Sequence, residues 1–264
     1  MNILPNYNYQ CTTPQKPNFT AIPKANYKLF KDTGKVTVFQ LEKSDIPFLE
    51  KIKVNIKDFL KEQKIEDESR QQVVEEAFSA GIKLLDKSNT DEKKAKIFLA
   101  VCNESPCGII IGNASKTDKF GKVHYSSRKN HGTNETELDW LASWNNNLKG
   151  VGKSLVGEFF HSLKKDGFKS VYVRSEIPSK SGARDFYENV GYTLLNDTER
   201  LIQRKNDYSY RIGTYDALED KILPMKATSK RINESIKNIS EAMSREEIKN
   251  PKSCNLFDVT NVHY

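Results

Sequence analysis

Asn147-Leu148-Lys149-Gly150-Val151-Gly152-Lys153-Ser154 places two glycines and two lysines between an apolar, strand-like run and a long amphipathic stretch. A glycine turn that opens a helix presents several backbone N–H groups with no partner inside the helix, at the positive end of its dipole. Such an arrangement suits a phosphate or diphosphate. Glycine at 150 and 152 lets a ligand approach the backbone with no Cβ in the way, and Lys149 and Lys153 add positive charge. The end of the stretch, Gly152-Lys153-Ser154, also mimics the loop Gly-x-x-x-x-Gly-Lys-Ser/Thr that cradles nucleoside triphosphates. That loop needs glycine at 147, where this chain has Asn147, and no apolar strand ending in Asp follows to hold magnesium.

These residues need strands and helices to hold them, and the hydrophobic periodicity predicts both. Residues 135–143 read as a strand with Glu137, Asp139 and Leu141 on one face and Leu138, Trp140 and Ala142 on the other. Residues 150–165 read as a helix with Val151, Leu155, Val156, Phe159, Phe160 and Leu163 inward, ended by Gly167. A strand at 170–174, a helix from Pro178-Ser179 to Val190 and a strand at 192–195 follow. Upstream, 35–41 alternates as a strand. Ser44 and Asp45 can cap the next helix, with Pro47 in its first turn and Phe48, Ile52, Ile56, Phe59 and Leu60 along it. A second helix carries Val73, Val74, Ala77, Phe78, Ile82 and Leu85 on one face, and 96–101 with 108–112 form a hairpin. Residues 123–126 and 208–212 read as further short strands.

The first 24 residues are punctuated by Pro5, Pro14, Pro17 and Pro23 and read as a flexible N-terminal tail. Residues 25–215 are the expected domain, and 216–264 a helical extension and tail. Ile232, Ile236, Ile239 and Met243 make one narrow apolar stripe there, suited to folding back on the core or, alternatively, to self-association.

Lys and Arg outnumber Asp and Glu by 42 to 35, which favours solubility or an anionic ligand. The basic residues are interspersed with acidic ones and no nucleic-acid motif is present, so nucleic acid is not an expected partner. No apolar run reaches the ~18 residues that a membrane span needs, and no secretory leader is expected at the N-terminus. Cys11, Cys102, Cys107 and Cys254 lack zinc-ligand spacing and read as free thiols of a cytoplasmic protein. The four histidines show no metal-ligand spacing either, and His161, mid-helix, reads as a packing or surface residue.

The second informative stretch is Ala183-Arg184-Asp185-Phe186-Tyr187-Glu188-Asn189-Val190-Gly191-Tyr192. With the glycine turn and the strand–helix–strand between them, it resembles the GNAT superfamily of N-acyltransferases. The family's turn runs Arg/Gln-x-x-Gly-x-Gly/Ala, and here it is Asn147-Leu148-Lys149-Gly150-Val151-Gly152. The family's second signature is matched by Ala183, Phe186, Tyr187, Gly191 and Tyr192. The resemblance covers roughly residues 33–213, with its specific part at 135–195. Asn147 and Lys180 depart from it, where relatives usually carry Arg or Gln and a cofactor-contacting Asn.

The resemblance implies an α/β fold with a central mixed sheet flanked by helices and a V-shaped splay between two central parallel strands, here 135–143 and 169–175. It implies acetyl-CoA as co-substrate, its pantetheine arm along Trp140, Leu141 and Ala142. The diphosphate would lie on the amides from Leu148 through Lys149, Gly150, Val151, Gly152 and Lys153 to Ser154. It implies direct attack of a primary amine on the thioester. Tyr187 would protonate the leaving thiolate, a role open to a phenol that stays protonated at neutral pH; packing against the cofactor is the other reading. Glu137, Asp139 and Glu176 are the candidate bases. A small-molecule amine is the expected acceptor, and a catalytically inactive GNAT-like adaptor is the alternative.

Overall fold

The computed structural model describes residues 21–62, 68–87, 93–115, 135–145, 147–176, 182–199 and 222–262. The strands are β1 (Ile22–Lys28), β2 (Lys35–Gln40), β3 (Lys93–Cys102), β4 (Ser105–Ser115), β5 (Glu135–Ser143), β6 (Ser170–Glu176), β7 (Thr193–Leu194), β8 (Ile222–Thr228) and β9 (Glu246–Glu247). Among the described residues they form one nine-stranded sheet in the order β7-β8-β6-β5-β4-β3-β2-β1-β9. The helices are α1 (Ile46–Val54), α2 (Ile56–Glu62), α3 (Glu68–Lys87), α4 (Val151–Lys165), α5 (Ala183–Asn189) and α6 (Ser229–Ala242). Helices α1 to α3 cover one face of the sheet, where Phe48, Leu49, Phe78, Leu99, Ile109 and Trp144 share a core. On the other face α4 and α6 share a second core with Val38, Phe98, Ile110, Leu138, Val171 and Met225. The six inward side chains expected of α4 are all buried, each contributing about 1.5–3 kcal/mol of apolar transfer.

The sheet is antiparallel except at its centre, where β5 and β6 run parallel, from Glu135 opposite Ser170 to Leu138 opposite Val173. Beyond Leu138 and Val173 both strands continue without a ladder between them. The rest of β5 pairs with β4, and the rest of β6 with β8 as far as Glu176 opposite Ile222. This is the V-shaped splay that the two motifs implied.

A bulge shapes the same stretch. Trp140 faces Ile111 and Leu138 faces Gly112, so Asp139 is the extra residue on β5. The bulge resets the alternation. Leu138 and Leu141 pack on the α4 side, while Trp140 and Ala142 pack on the α1–α3 side. The expectation that Leu138 shares a face with Trp140 and Ala142 is therefore corrected, and so is the grouping of Glu137 and Asp139 with Leu141. Gly112 marks where α4 presses closest, since a Cβ there would lie 2.1 Å from the Phe159 ring.

The helix expected to run from Asp45 through Leu60 is interrupted at Asn55, which separates α1 from α2. Asp45 itself is fully buried and its carboxylate accepts from the amides of Ala21 (3.1 Å) and Glu42 (2.8 Å). Residues 123–126 and 208–212 lie outside the described residues.

Both ends of the described chain join the sheet. β1 starts at Ile22, inside the segment read as a tail, and pairs with β2 and β9. β8 lies between β6 and β7, so the sheet runs across the boundary expected at 215/216. The stripe Ile232, Ile236, Ile239 and Met243 is buried with α4 in the core. It folds back, and the apolar face that suggested self-association is covered by the chain itself.

Candidate active site

The glycine turn begins at the end of β5, where Trp144 is fully buried. Its indole Nε1 donates to the Pro106 carbonyl at 2.7 Å and its backbone N–H to the Cys107 carbonyl at 3.2 Å. Asn145 then shapes the turn. Its carbonyl accepts from the Leu148 amide (3.2 Å) and its Oδ1 from the Asn147 amide (3.0 Å). Gly150, at φ +110°, is the residue before the first turn of α4. A Cβ there would lie 2.8 Å from the Phe30 ring and 3.0 Å from the Met243 methyl.

The hairpin tip between β1 and β2 braces this turn. Phe30 N–H donates to the Lys149 carbonyl at 2.9 Å, and Lys149 N–H donates to Thr33 Oγ1 at 3.1 Å. The Lys153 ammonium lies 5.2 Å from the Phe30 ring centroid, an attractive cation–π distance. Phe30 and Thr33 are site-supporting residues that the sequence reading missed. The signal was an alternating run ending near Lys28, then Asp32-Thr33-Gly34, then the run from Lys35.

The amides expected to hold a diphosphate are not equivalent. Leu148 donates within the turn, Lys149 donates to Thr33 on the hairpin tip, and the Ser154 amide opens the helix ladder by donating to the Gly150 carbonyl at 2.9 Å. Ser154 is buried, and its hydroxyl donates to the Val151 carbonyl at 2.8 Å. The amides of Val151, Gly152 and Lys153 precede that ladder and are the ones a helix leaves for a ligand. Lys149 is exposed beside them.

The two motifs meet in space. A Cβ on Gly152 would lie 3.3 Å from the Phe186 ring, so the first turn of α4 and α5 are in direct contact. Tyr187 is half-buried in an aromatic row, its ring edge-on to Phe186 (centroids 5.4 Å) and to Tyr192 (5.4 Å). Gly191, at φ +95°, turns the chain so that Tyr192 becomes fully enclosed. The Tyr192 hydroxyl has no hydrogen-bond partner among the described residues, and burial pushes its pKa well up.

At the mouth of the splay one row of side chains crosses the sheet on the α1–α3 face. Glu137 is opposite Tyr172, Tyr172 opposite Lys226, and Lys226 opposite Thr193. Glu137 is buried. The Lys226 ammonium sits 4.9 Å from the Tyr172 ring centroid and 4.0 Å from Glu199. Asp139 is exposed at the bulge and stands apart from this row. Glu176 closes β6, and its side chain lies outside the described residues, as does Lys180. Trp140, Leu141 and Ala142 lie on the stretch of β5 that β6 no longer pairs with. No group of His, Cys, Asp and Glu among the described residues could hold a metal ion, and no described helix is long and apolar enough to cross a membrane.

No family model matches the chain, and no curated protein matches it. It is similar to solved structures. The PaiA N-acetyltransferase of Thermoplasma acidophilum in complex with coenzyme A is 14% identical at TM-score 0.43, over 73% of this chain and 98% of that one. A putative GNAT-family acetyltransferase of Desulfovibrio desulfuricans is 12% identical at TM-score 0.44, over 74% and 99%. The ribosomal-protein-S18-alanine N-acetyltransferase of Escherichia coli is 12% identical at TM-score 0.38, over 73% and 93%.

Proposed function

We propose that this protein is a GNAT-type N-acetyltransferase that moves an acetyl group from acetyl-CoA to a primary amine. The observation that carries the reading is the end of pairing between β5 and β6 after Leu138 and Val173, with the free first-turn amides of α4 just beyond it. An open strand edge can satisfy the amides of an extended ligand, and a helix N-terminus flanked by Lys149 and Lys153 fits a diphosphate. Acetyl-CoA, when bound, supplies the activated acetyl thioester. Val151, Gly152 and Lys153 hold the diphosphate by their N–H groups, and Trp140, Leu141 and Ala142 line the pantetheine.

The protein's own work is proton management. Glu137, buried on the face opposite α4, accepts the proton that an incoming ammonium must lose. Its position beside Tyr172 makes it a better candidate than exposed Asp139. Tyr187, next to the first turn of α4, donates a proton to the leaving thiolate. Its two ring contacts also support a packing role, in which turnover does not depend on its hydroxyl. A small amine is the proposed acceptor, and the free thiols Cys102, Cys107 and Cys254 suit a cytoplasmic setting.

The reading is tested by incubating the protein with acetyl-CoA and a panel of primary amines and measuring CoA release. Release with at least one amine, and a CoA-dependent rise in Tm, are expected. A Tm that CoA does not move overturns the proposed site. A Tm shift without release on any amine turns the reading to a cofactor-binding adaptor.

A further inference from the structure

A cavity lies at the other end of α4, roughly 20 Å along the helix from Gly150 at 1.5 Å per residue. It measures about 1140 Å³ and is bounded by the C-terminal half of α4, the sheet around β1 to β3 and the segment 245–251. One stripe of α4 forms its wall, with Glu158, His161, Ser162 and Lys165 at helical spacing. Its lining carries seven Lys or Arg side chains against four Asp or Glu.

The acids are committed. Glu158 is buried and its Oε1 accepts from Tyr27 and from Arg245, both at 2.6 Å. Asp166 pairs with Lys96, which also donates to Ser162 Oγ at 2.6 Å. Glu247 lies 3.7 Å from Arg245. Glu42 accepts from the Gln40 amide at 3.0 Å. Lys24 and Lys165, by contrast, have no carboxylate within ion-pair distance among the described residues. Lys24 feels its neighbours: after burial, Lys165 is the strongest influence holding the Lys24 pKa below the ordinary lysine range, and Lys96 adds to it, against the opposing pull of Glu42 and Glu158. Apolar Phe98, Leu85 and Ile248 also line it.

Two ammoniums that line one cavity with no carboxylate paired to them, beside apolar side chains, are what a small organic oxyanion needs. We infer that this cavity is a second binding site, for a small molecule bearing at least two negative charges on phosphate or carboxylate groups, with Lys24 and Lys165 as its principal contacts. A half-open cleft walled by helix, sheet and C-terminal segment suits a small molecule better than a nucleic-acid strand or a membrane surface. The site is remote from the proposed acetyl-transfer site and does not rest on it.

The test is a titration of the full chain with inorganic pyrophosphate and, separately, citrate, at constant ionic strength, followed by backbone amide NMR shifts. Saturable shifts are expected at Lys24, Ser162, Lys165 and Ile248 for at least one probe. A response to pyrophosphate alone assigns phosphate ligands, and a response to citrate alone assigns carboxylates. The Lys24→Gln/Lys165→Gln variant should bind about tenfold more weakly or worse, as expected for losing two charge-assisted contacts. Because these lysines repel, that variant should melt no lower than the parent. Should the pair misfold, exposed Lys165 changed alone to Gln carries the same comparison. Shifts confined to Val151–Lys153, shifts matched by sodium chloride, shifts retained in the variant, or a response only to single-stranded RNA or anionic vesicles would each overturn the proposal.

Discussion

Tyr27 donates its hydroxyl to Glu158 Oε1 at 2.6 Å, joining residues 131 positions apart. Arg245 Nε reaches the same oxygen at 2.6 Å. One carboxylate thus ties β1, α4 and the segment after α6 together, where Tyr27 and Glu158 are both buried. Removing one partner strands the other two. Glu158→Ala should lose about 3–5 kcal/mol, the usual penalty for an uncompensated buried charge. Tyr27→Phe, which removes one hydrogen bond, should lose about 1–2 kcal/mol. Urea unfolding of both variants checks the order; equal losses would show that Arg245 is not held there by charge.

The same cluster sets an alkaline limit. Burial first, then the Glu158 carboxylate, pushes the Tyr27 phenol well above its ordinary pKa, and burial does the same to Tyr192. The folded protein therefore keeps protons that the unfolded chain releases. Stability should be full below pH ~10, the unfolded tyrosine value, and fall steadily above it. Tyr27→Phe should remove part of that slope, as measured by unfolding at pH 9 to 11. Tyr192→Phe should remove another part. Because the Tyr192 hydroxyl lacks a partner among the described residues, that change should be neutral or stabilising at pH 7.

His161 sets the acid counterpart. Burial, with Arg245 adding to it, lowers its pKa below the ordinary histidine value, and its Nε2 has no partner among the described residues. The unfolded chain takes up the proton more readily than the folded one. Its contribution should be complete above pH ~6.5 and decline as pH falls from there. His161→Gln should flatten the stability profile between pH 7 and 5, as followed by Tm.

Gly150 and Gly167 make a controlled pair. Both have positive φ, +110° and +78°, but a Cβ on Gly150 meets Phe30 at 2.8 Å while nothing lies within 4 Å of one on Gly167. Gly167→Ala should lose about 1 kcal/mol from conformation alone, and Gly150→Ala about 2–3 kcal/mol. A bulky residue at 150 is therefore a poor probe of CoA binding, because it disturbs the fold. Exposed Lys149→Glu is the cleaner one: Tm unchanged, CoA affinity down about tenfold.

The two carboxylates on β5 should separate in rate. Glu137→Gln should lower kcat by about 10²–10⁴ if it is the base, with Asp139→Asn within a few-fold of the parent. Tyr187→Phe should lower kcat more than CoA affinity if it is the acid. A reversed order for the carboxylates, or equal losses in both parameters for Tyr187, would reassign those roles.

Much of this architecture is legible in short-range pattern. The strand at 135–143 and the helix that follows keep their expected bounds to within a residue, because α4 has a continuous apolar face and a glycine at each end. The meeting of the two motifs in space, with the Phe186 ring 3.3 Å from where a Cβ on Gly152 would lie, is a tertiary fact that neither motif stated. What pattern could not supply is register. One extra residue at Asp139 turns Trp140 and Ala142 to the opposite face from Leu138, and strict alternation cannot anticipate a bulge in the pairing with β4. The hairpin tip at Phe30 and Thr33 was hidden by the polar, proline-punctuated start of the chain. β8 was missed because Ile222–Thr228 contains Pro224 and Lys226, a poor strand sequence by propensity, in a position set by long-range pairing.

That late strand constrains how the molecule is made. β8 is the neighbour that covers β6 on the side away from β5, and β7 reaches the sheet through it. A nascent polypeptide that has left the ribosome only as far as β7 therefore carries a bare edge on β6 and a stranded β7. Both stay exposed until residues 222–228 emerge and slot between them. During that interval the half-built sheet is a template for pairing with other chains. The time between synthesis of β7 and synthesis of residues 222–228 thus sets how long the β6 edge stays open to such pairing.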